Sequence, residues 1–235
     1  MIYITGDFHG CVRELLSRFD RLQIGQGDII VVLGDAGLNY YGNNRGDLKT
    51  KKSLARCGAE FFCIHGNHEM RPSSIPTYHE ENWHGGQVYV EEAFPNIKFA
   101  KDGEIYELGG KNCLVIGGAY SVDKFYRLAR GVAWFSDEQP DEKCKATVES
   151  VLEKENWKID YVFSHTCPSK YIPIEAFLPG LDQSTVDRST EDWLDELESK
   201  IVYEKWFCGH WHIEKKVNNL EFLFKGITCL PEVTK

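Results

Sequence analysis

Ile2-Tyr3-Ile4-Thr5-Gly6-Asp7-Phe8-His9-Gly10 is a short apolar run that passes directly into a polar turn. Four later stretches have the same form, an apolar run ending in Gly, Asp, Asn or His, at residues 29–37, 60–69, 161–168 and 205–212. Short continuous apolar runs bounded by turn residues are typical of strands buried on both faces. The sequence therefore predicts buried strands whose ends carry clusters of polar residues.

Segments with helical spacing of apolar residues lie between these runs. The clearest are at residues 12–22, 144–152 and 193–201, and a weaker one is at 47–57. Short strands fill residues 87–120, where Lys101-Asp102-Gly103 and Gly109-Gly110 are typical of hairpin connections. We expect an α/β (α+β) fold in which two mixed β-sheets pack together with helices outside. No linker interrupts the chain, so residues 1–235 are predicted to form a single domain.

Composition and charge narrow the classes of protein to consider. The 235 residues include 27 Lys and Arg against 36 Asp and Glu, for a net charge of −9. This charge disfavours avid binding to long nucleic acid or to anionic membranes. No apolar run approaches the roughly 20 residues that span a bilayer, and residues 1–5 have none of the features of a signal peptide. The eight cysteines show no Cys-x-x-Cys pair, so we expect free thiols and a cytoplasmic location.

The polar residues at the predicted strand ends are of metal-ligating and acid–base types. Open α/β sheets place their binding sites at the carboxyl ends of strands, and residues two apart in an extended segment point to the same side. Carboxylate, amide and imidazole groups together suit borderline divalent ions. The candidate residues are Asp7, His9, Asp35, Asn67, His68, His165, His210 and His212.

The order of these blocks resembles that of the calcineurin-like metallophosphoesterase superfamily. The blocks are Gly-Asp-x-His, Gly-Asp, Gly-Asn-His-Glu, a lone strand-end His, and Gly-His-x-His, from Asp7 to His212. Within the family, the chain is similar to the compact single-domain bacterial and phage enzymes. The resemblance implies a four-layer sandwich of two mixed sheets flanked by helices. It also implies a phosphate mono- or diester hydrolase that uses a hydroxide bridging two metal ions.

The resemblance also implies a role for each candidate. One metal would be held by Asp7, His9, Asp35 and His212, and the other by Asp35, Asn67, His165 and His210. Asp35 would bridge the two ions, which are expected to be Mn, Fe, Zn, Ni or Co. His68 would donate a proton to the leaving oxygen or stabilise its charge. For Glu69, two roles stay open, orienting His68 or capping the turn that follows it.

One block departs from the protein-phosphatase branch of the family. That branch carries Gly-Asp-x-x-Asp-Arg-Gly, whereas this chain has Gly-Asp-Ala-Gly-Leu-Asn-Tyr at residues 34–40, so activity on phosphoproteins is in doubt. Arg71, Arg127 and Arg130 are candidates to replace the missing arginine in binding substrate. Residues 121–131 are expected to form a basic, aromatic loop, and residues 167–189 could form another wall of the site.

The substrate expected from these features is a small or exposed phosphate ester, with neither a membrane nor long nucleic acid as a partner. Two alternatives stay open from the sequence. One is a non-catalytic scaffold or binding protein that keeps the same fold, and the other is a nuclease subtype of that fold.

Overall fold

Two β-sheets form the centre of the computed structural model, which describes residues 1–42, 44–177, 179–180 and 182–230. The first sheet has the strand order β13-β1-β2-β3-β6-β5-β4, and the second has the order β11-β12-β10-β9-β8-β7. The strands of the first sheet are β1 (Ile2–Thr5), β2 (Ile29–Val32), β3 (Glu60–Cys63), β4 (Tyr78–Trp83), β5 (Gly86–Glu91), β6 (Ile97–Ala100) and β13 (Ile227–Cys229). Those of the second are β7 (Ile105–Leu108), β8 (Lys111–Ile116), β9 (Tyr161–Ser164), β10 (Lys205–Cys208), β11 (Lys215–Val217) and β12 (Leu220–Phe222).

Each sheet has a parallel centre and antiparallel edges. In the first sheet β1, β2, β3 and β6 are parallel neighbours, with Tyr3 opposite Ile30 and Val31 opposite Phe62. In the second sheet β8, β9, β10 and β12 are parallel neighbours. Parallel strands end at the same edge of a sheet, so the loops that follow β1, β2, β3, β9 and β10 come together.

Four of the described helices cover the outer faces of the two sheets: α1 (Val12–Leu22) and α2 (Arg45–Ala55) on the first, and α4 (Glu142–Lys154) and α5 (Ser189–Glu198) on the second. A further helix, α3 (Lys124–Arg130), follows β8. Successive residues of β2 alternate between two cores: Val31 packs between the sheets and Ile30 packs under α1 and α2. A third core joins the second sheet to Val148 of α4 and Leu194 of α5. This helix–sheet–sheet–helix order confirms the predicted fold class.

One predicted hairpin is present and another is wrong. Gly109 and Gly110, with φ of 62° and 76°, connect β7 to β8, where Leu108 lies opposite Lys111. Residues 101–103 instead carry the chain from β6 in the first sheet to β7 in the second. The Tyr106 hydroxyl accepts a hydrogen bond from the backbone N–H of Lys101 at 2.9 Å. A local turn signal does not reveal which sheet the next strand joins.

The segment 121–131, expected to be a loop, contains the short helix α3. Its outer face exposes Phe125, Tyr126 and Leu128, while Arg127 is buried on its inner face. None of the described helices is long and apolar enough to cross a membrane.

Candidate metal centre

The predicted ligand residues lie together in the loops that leave the parallel strands. Asp7 and His9 follow β1, Asp35 follows β2, Asn67 and His68 follow β3, and the remaining three histidines follow β9 and β10. Four of these residues have left-handed backbone conformations that non-glycine residues rarely adopt, with φ between 45° and 65°: His9, Asp35, His210 and His212. Such strain persists where the surrounding structure holds it, typically at functional sites.

Glycines allow the loops that carry the candidate ligands to approach each other. A Cβ atom on Gly34 would lie 2.1 Å from Nδ1 of His165, which belongs to the other sheet. A Cβ atom on Gly66 would lie 2.0 Å from Oδ1 of Asp35. Both positions therefore require glycine for the candidate ligands to reach one another.

A first cluster consists of Asp7, His9 and His212, whose ligand atoms lie within 4.8 Å of one another. Nε2 of His212 is 3.3 Å from Asp7 Oδ2 and 3.0 Å from Nε2 of His9. Asp7 is buried, and its Oδ2 accepts no hydrogen bond from any described residue. Oδ1 is held by the backbone N–H of His210 at 2.9 Å. A buried carboxylate oxygen facing two imidazoles is a donor set that fits a cation.

A second cluster forms around His165, which is fully buried. Its Nδ1 lies 2.7 Å from the carbonyl oxygen of Leu33 and must donate there, since a carbonyl only accepts. In the neutral ring Nε2 then carries a lone pair, which faces Asn67 Oδ1 at 2.8 Å and Asp35 Oδ2 at 3.7 Å. Nδ1 of His210 is also 3.1 Å from Asn67 Oδ1. Convergent lone pairs of this kind fit a divalent cation, and the Leu33 carbonyl fixes the imidazole as protein groups behind metal ligands do.

Asp35 lies between the two clusters. Its Oδ2 is 4.0 Å from Nδ1 of His9 on one side and 3.7 Å from Nε2 of His165 on the other. Oδ1 accepts a hydrogen bond from the backbone N–H of His68 at 2.8 Å. The His68 ring lies edge-on to that of His9, with centroids 5.5 Å apart. This arrangement brings all eight predicted residues to one site.

The electrostatics of the site follow from burial and from its two carboxylates. Burial raises the pKa of Asp7, but the close His212 ring and the neighbouring histidines outweigh it and lower that pKa to about 2. The same carboxylate raises the pKa of His212. Burial, with His165 nearby, lowers the pKa of His210, and burial likewise lowers that of His68. The histidines thus differ in how readily they take the neutral form that binds metals.

Glu69 lies under the turn that carries Asn67 and His68. It is fully buried, and burial together with the nearby Asp35 raises its pKa to about 8. One oxygen accepts a hydrogen bond from the backbone N–H of Gly66 at 3.4 Å. The contact with Gly66 holds the turn before Glu69, so both predicted roles of Glu69 stay predictions.

The three predicted arginines lie in different surroundings. Arg71 pairs with Asp102 at 2.6 Å and donates to the carbonyl of Asp137, so it lies in a neighbouring cleft. Arg127 is buried behind the site, where Nη1 is 3.5 Å from Oγ of Ser121. Arg130 is exposed and lies over the ring of Tyr126. A substrate-binding role for these arginines stays a prediction.

A cavity of about 300 Å³ opens onto the cluster. Residues of the expected wall 167–189 line it, including Phe177 and Arg188. The sequence did not identify Arg188 as a candidate, because no recognisable motif surrounds it in Val186-Asp187-Arg188-Ser189. The one available signal was its position in an irregular segment beside the site. Trp211, between the two C-terminal histidines, also lines the cavity.

Comparisons with solved structures concern the fold. Thirteen chains of solved structures match, and two crystal structures among them illustrate the likeness in fold. One is 14% identical, with 94% of this chain and 88% of that chain covered and a TM-score of 0.52. The other, TT1561 of Thermus thermophilus, is 11% identical, with 95% and 87% covered and a TM-score of 0.51. No curated protein matches the sequence significantly.

The family comparison covers most of the chain. The family model for calcineurin-like phosphoesterases matches residues 1–214, which include every candidate ligand. That family hydrolyses phosphoesters and generally uses divalent metals. With this match over more than half of its length, the chain belongs to the calcineurin-like phosphoesterase family.

Proposed function

We propose that this protein is a phosphoesterase that depends on two divalent metal ions and hydrolyses a phosphate mono- or diester. The observation that carries the proposal is the convergence of two carboxylates, one amide and four imidazoles from both sheets, including a buried Asp7 oxygen without a hydrogen bond from the described residues. The buried carboxylates of this set are costly to bury without a compensating cation. Its ligand types suit Mn, Fe, Zn, Ni or Co.

Each ion would take ligands from both sheets. The first would be held by the cluster of Asp7, His9 and His212, joined by Asp35. The second would be held by Asn67, His165 and His210, again with Asp35. The support for a shared Asp35 is its position, since Oδ2 lies 3.7 to 4.0 Å from one imidazole of each cluster.

The bound ions would lower the pKa of a water molecule and neutralise charge on the phosphoryl oxygens. The protein's own residues would set the geometry. The backbone N–H of His68 orients the Asp35 carboxylate, and that of His210 orients Asp7. The His68 ring lines the cavity beside Asp35, where it could pass a proton to the leaving oxygen.

The net charge of −9 supports a small substrate over long nucleic acid. At the site itself, two divalent ions would outweigh Asp7 and Asp35 and attract a phosphate. Arg188 lines the cavity and is a stronger candidate to contact the substrate than Arg71, which is paired with Asp102. We retain the expectation of a cytoplasmic location from the cysteine pattern.

Hydrolysis of p-nitrophenyl phosphate and bis-p-nitrophenyl phosphate tests the proposal. Turnover is expected with at least one of Mn²⁺, Fe²⁺, Ni²⁺, Co²⁺ and Zn²⁺ and should be lost in EDTA. Absence of turnover with all five would refute catalysis and leave the scaffold hypothesis. A panel that adds single-stranded DNA and RNA tests the nuclease alternative.

Three variants separate the roles of the residues. Asp35→Asn should abolish turnover and reduce metal stoichiometry below two per chain, because both ions would lose a ligand. His68→Ala should slow turnover by about 10²–10⁴-fold, the range for general acid–base groups, with metal content retained. Loss of metal in that variant would instead make His68 a ligand. His79→Ala, at an exposed position of β4, is the matched control and should behave as wild type.

A further inference from the structure

The cavity beside the metal centre has a composition that the proposed hydrolysis alone does not require. One end is formed by Asp35, Asn67, His68, His210 and His212, where the phosphate would lie. The other walls come from the segment after β8, from the turns that precede α5 and from the loop after β10. Their lining residues are mostly apolar or aromatic: Tyr120, Val122, Ile172, Ala176, Phe177, Val186 and Trp211.

Two aromatic side chains of this wall contact each other. Phe177 and Trp211 are stacked, with centroids 6.1 Å apart and planes at 30°. The Trp211 ring is fixed because its Nε1 donates to Oγ1 of Thr166 at 3.2 Å, and Thr166 in turn donates to Glu191 at 2.7 Å. Both rings are only partly buried, so an aromatic group of a ligand could cover the surface that they leave open.

The charges along the cavity specify which group would be accepted there. Away from the metal centre it is lined by the acidic residues Asp123 and Asp187 and by the buried carboxyl group of Glu191, with Arg188 as the one cation among the described lining residues. Arg188 donates to Gln183 and lies over the Phe177 ring, 5.8 Å from its centroid. A second anionic group would meet an excess of carboxylates, whereas an uncharged ring would meet stacking partners.

We propose that this cavity binds a flat, uncharged aromatic leaving group, so that the substrate is a phosphate ester of a nucleoside-type alcohol with a single phosphate. The inference rests on the proposed phosphoesterase activity for its substrate, but the binding of the aromatic group can be measured without catalysis. The phosphate would lie at the His68 end and the ring against Phe177 and Trp211. A volume of about 300 Å³ is at the lower end of the range for small-molecule pockets and suits one nucleoside.

The first test compares adenosine 5′-monophosphate with glycerol 2-phosphate in the wild type, Phe177→Ala and Phe125→Ala. Wild type should prefer the nucleotide by kcat/KM. Phe177→Ala should lower that preference about tenfold, chiefly through KM, since base–aromatic stacking has an effect of this size. Phe125 is exposed on α3 and does not line the cavity, so Phe125→Ala should keep the wild-type preference. No preference in the wild type, or an unchanged preference in Phe177→Ala, overturns the proposal.

The second test distinguishes failure of this inference from failure of the catalytic proposal. Adenosine, which carries no phosphate, is titrated into the metal-loaded wild type and Phe177→Ala by calorimetry. Binding to the wild type that weakens about tenfold in the variant supports the aromatic site, even if neither phosphate ester is hydrolysed. Absence of adenosine binding to the wild type refutes the site, whatever the hydrolytic activity. Circular dichroism of each variant establishes that it is folded.

Discussion

The buried carboxyl group of Glu191 should make the stability of the protein depend on pH. Glu191 is in the first turn of α5 and is only 4% exposed. Burial raises its pKa from 4.5 to about 7, although the hydrogen bond from Thr166 opposes the shift. The substitution Glu191→Gln removes the ionisable carboxyl group, and the amide oxygen of the glutamine can accept the same hydrogen bond from Thr166. The variant therefore isolates the energetic effect of charging this group.

The sign of the effect follows from the direction of the pKa shift. Because the folded-state pKa lies above the unfolded one, the stabilising contribution is fully present below about pH 4.5 and is lost as the pH rises through about 7. A shift from 4.5 to about 7 corresponds to at most about 3 kcal/mol, at about 1.4 kcal/mol per unit. The free energy of unfolding of Glu191→Gln minus that of the wild type should therefore be larger at pH 8 than at pH 5, by up to this amount.

Urea unfolding at pH 5 and pH 8, in EDTA so that metal binding does not contribute, measures the difference. Glu153→Gln is the matched control, because Glu153 lies on the exposed face of α4. It should change the free energy of unfolding equally at the two pH values. If Glu191→Gln also changes the free energy of unfolding by the same amount at pH 5 and pH 8, the carboxyl group does not ionise in this range and the argument fails.

Three further predictions concern the metal centre. Gly66→Ala should abolish turnover, because its Cβ would lie 2.0 Å from Oδ1 of Asp35, whereas Gly25→Ala meets nothing closer than 3.6 Å and should retain activity in the same assay. Ser121→Ala removes the hydroxyl that accepts from Asn67 Nδ2 at 2.8 Å and should weaken Mn²⁺ binding about 10–100-fold by calorimetry; unchanged affinity would contradict this positioning role. Adding Mn²⁺ at 100 times its Kd to protein stripped with EDTA should stabilise it by about 3 kcal/mol in thermal unfolding, and no rise in Tm would contradict specific binding to the folded state.

Much of the fold could be predicted because local patterns determine it. The apolar run 29–33 predicts a strand buried on both faces, and in the structure Ile30 and Val31 indeed pack into two different cores. The edge strand β4 and the short helix α3 were harder to foresee. β4 contains His79-Glu80-Glu81-Asn82 and was not predicted, since its position as the edge strand next to β5 leaves it little buried apolar surface. Helix α3 was also missed, because it has only seven residues.

The sequence could predict those residues of the candidate site that lie in motifs at the ends of strands. The order of the blocks pointed to all eight residues, because strands with a common direction bring their ends together. The spacing of the motifs in the sequence could not reveal which groups surround the long side chains. Arg71 follows the third block closely yet pairs with Asp102, whereas Arg188 comes from an irregular segment and lines the cavity. A long side chain can point to either side of its backbone, so its partner depends on the packed structure.

The division of the ligands between the sheets connects the fold to the proposed chemistry. Asp7, His9, Asp35 and Asn67 come from the first sheet, and the other three histidines come from the second. The core between the sheets consists of apolar and aromatic side chains such as Val31, Phe62 and Val115, which hold the two sheets together. Two hydrogen bonds at the site also join the sheets: His165 donates to the Leu33 carbonyl, and Asp7 accepts from the backbone N–H of His210. The first contact brings His165 beside Asp35, and the second brings the loop of His210 and His212 beside Asp7, so the candidate ligands of each proposed ion come from both sheets. A preorganised pair of sites of this kind would reduce the conformational entropy lost when the proposed ions bind.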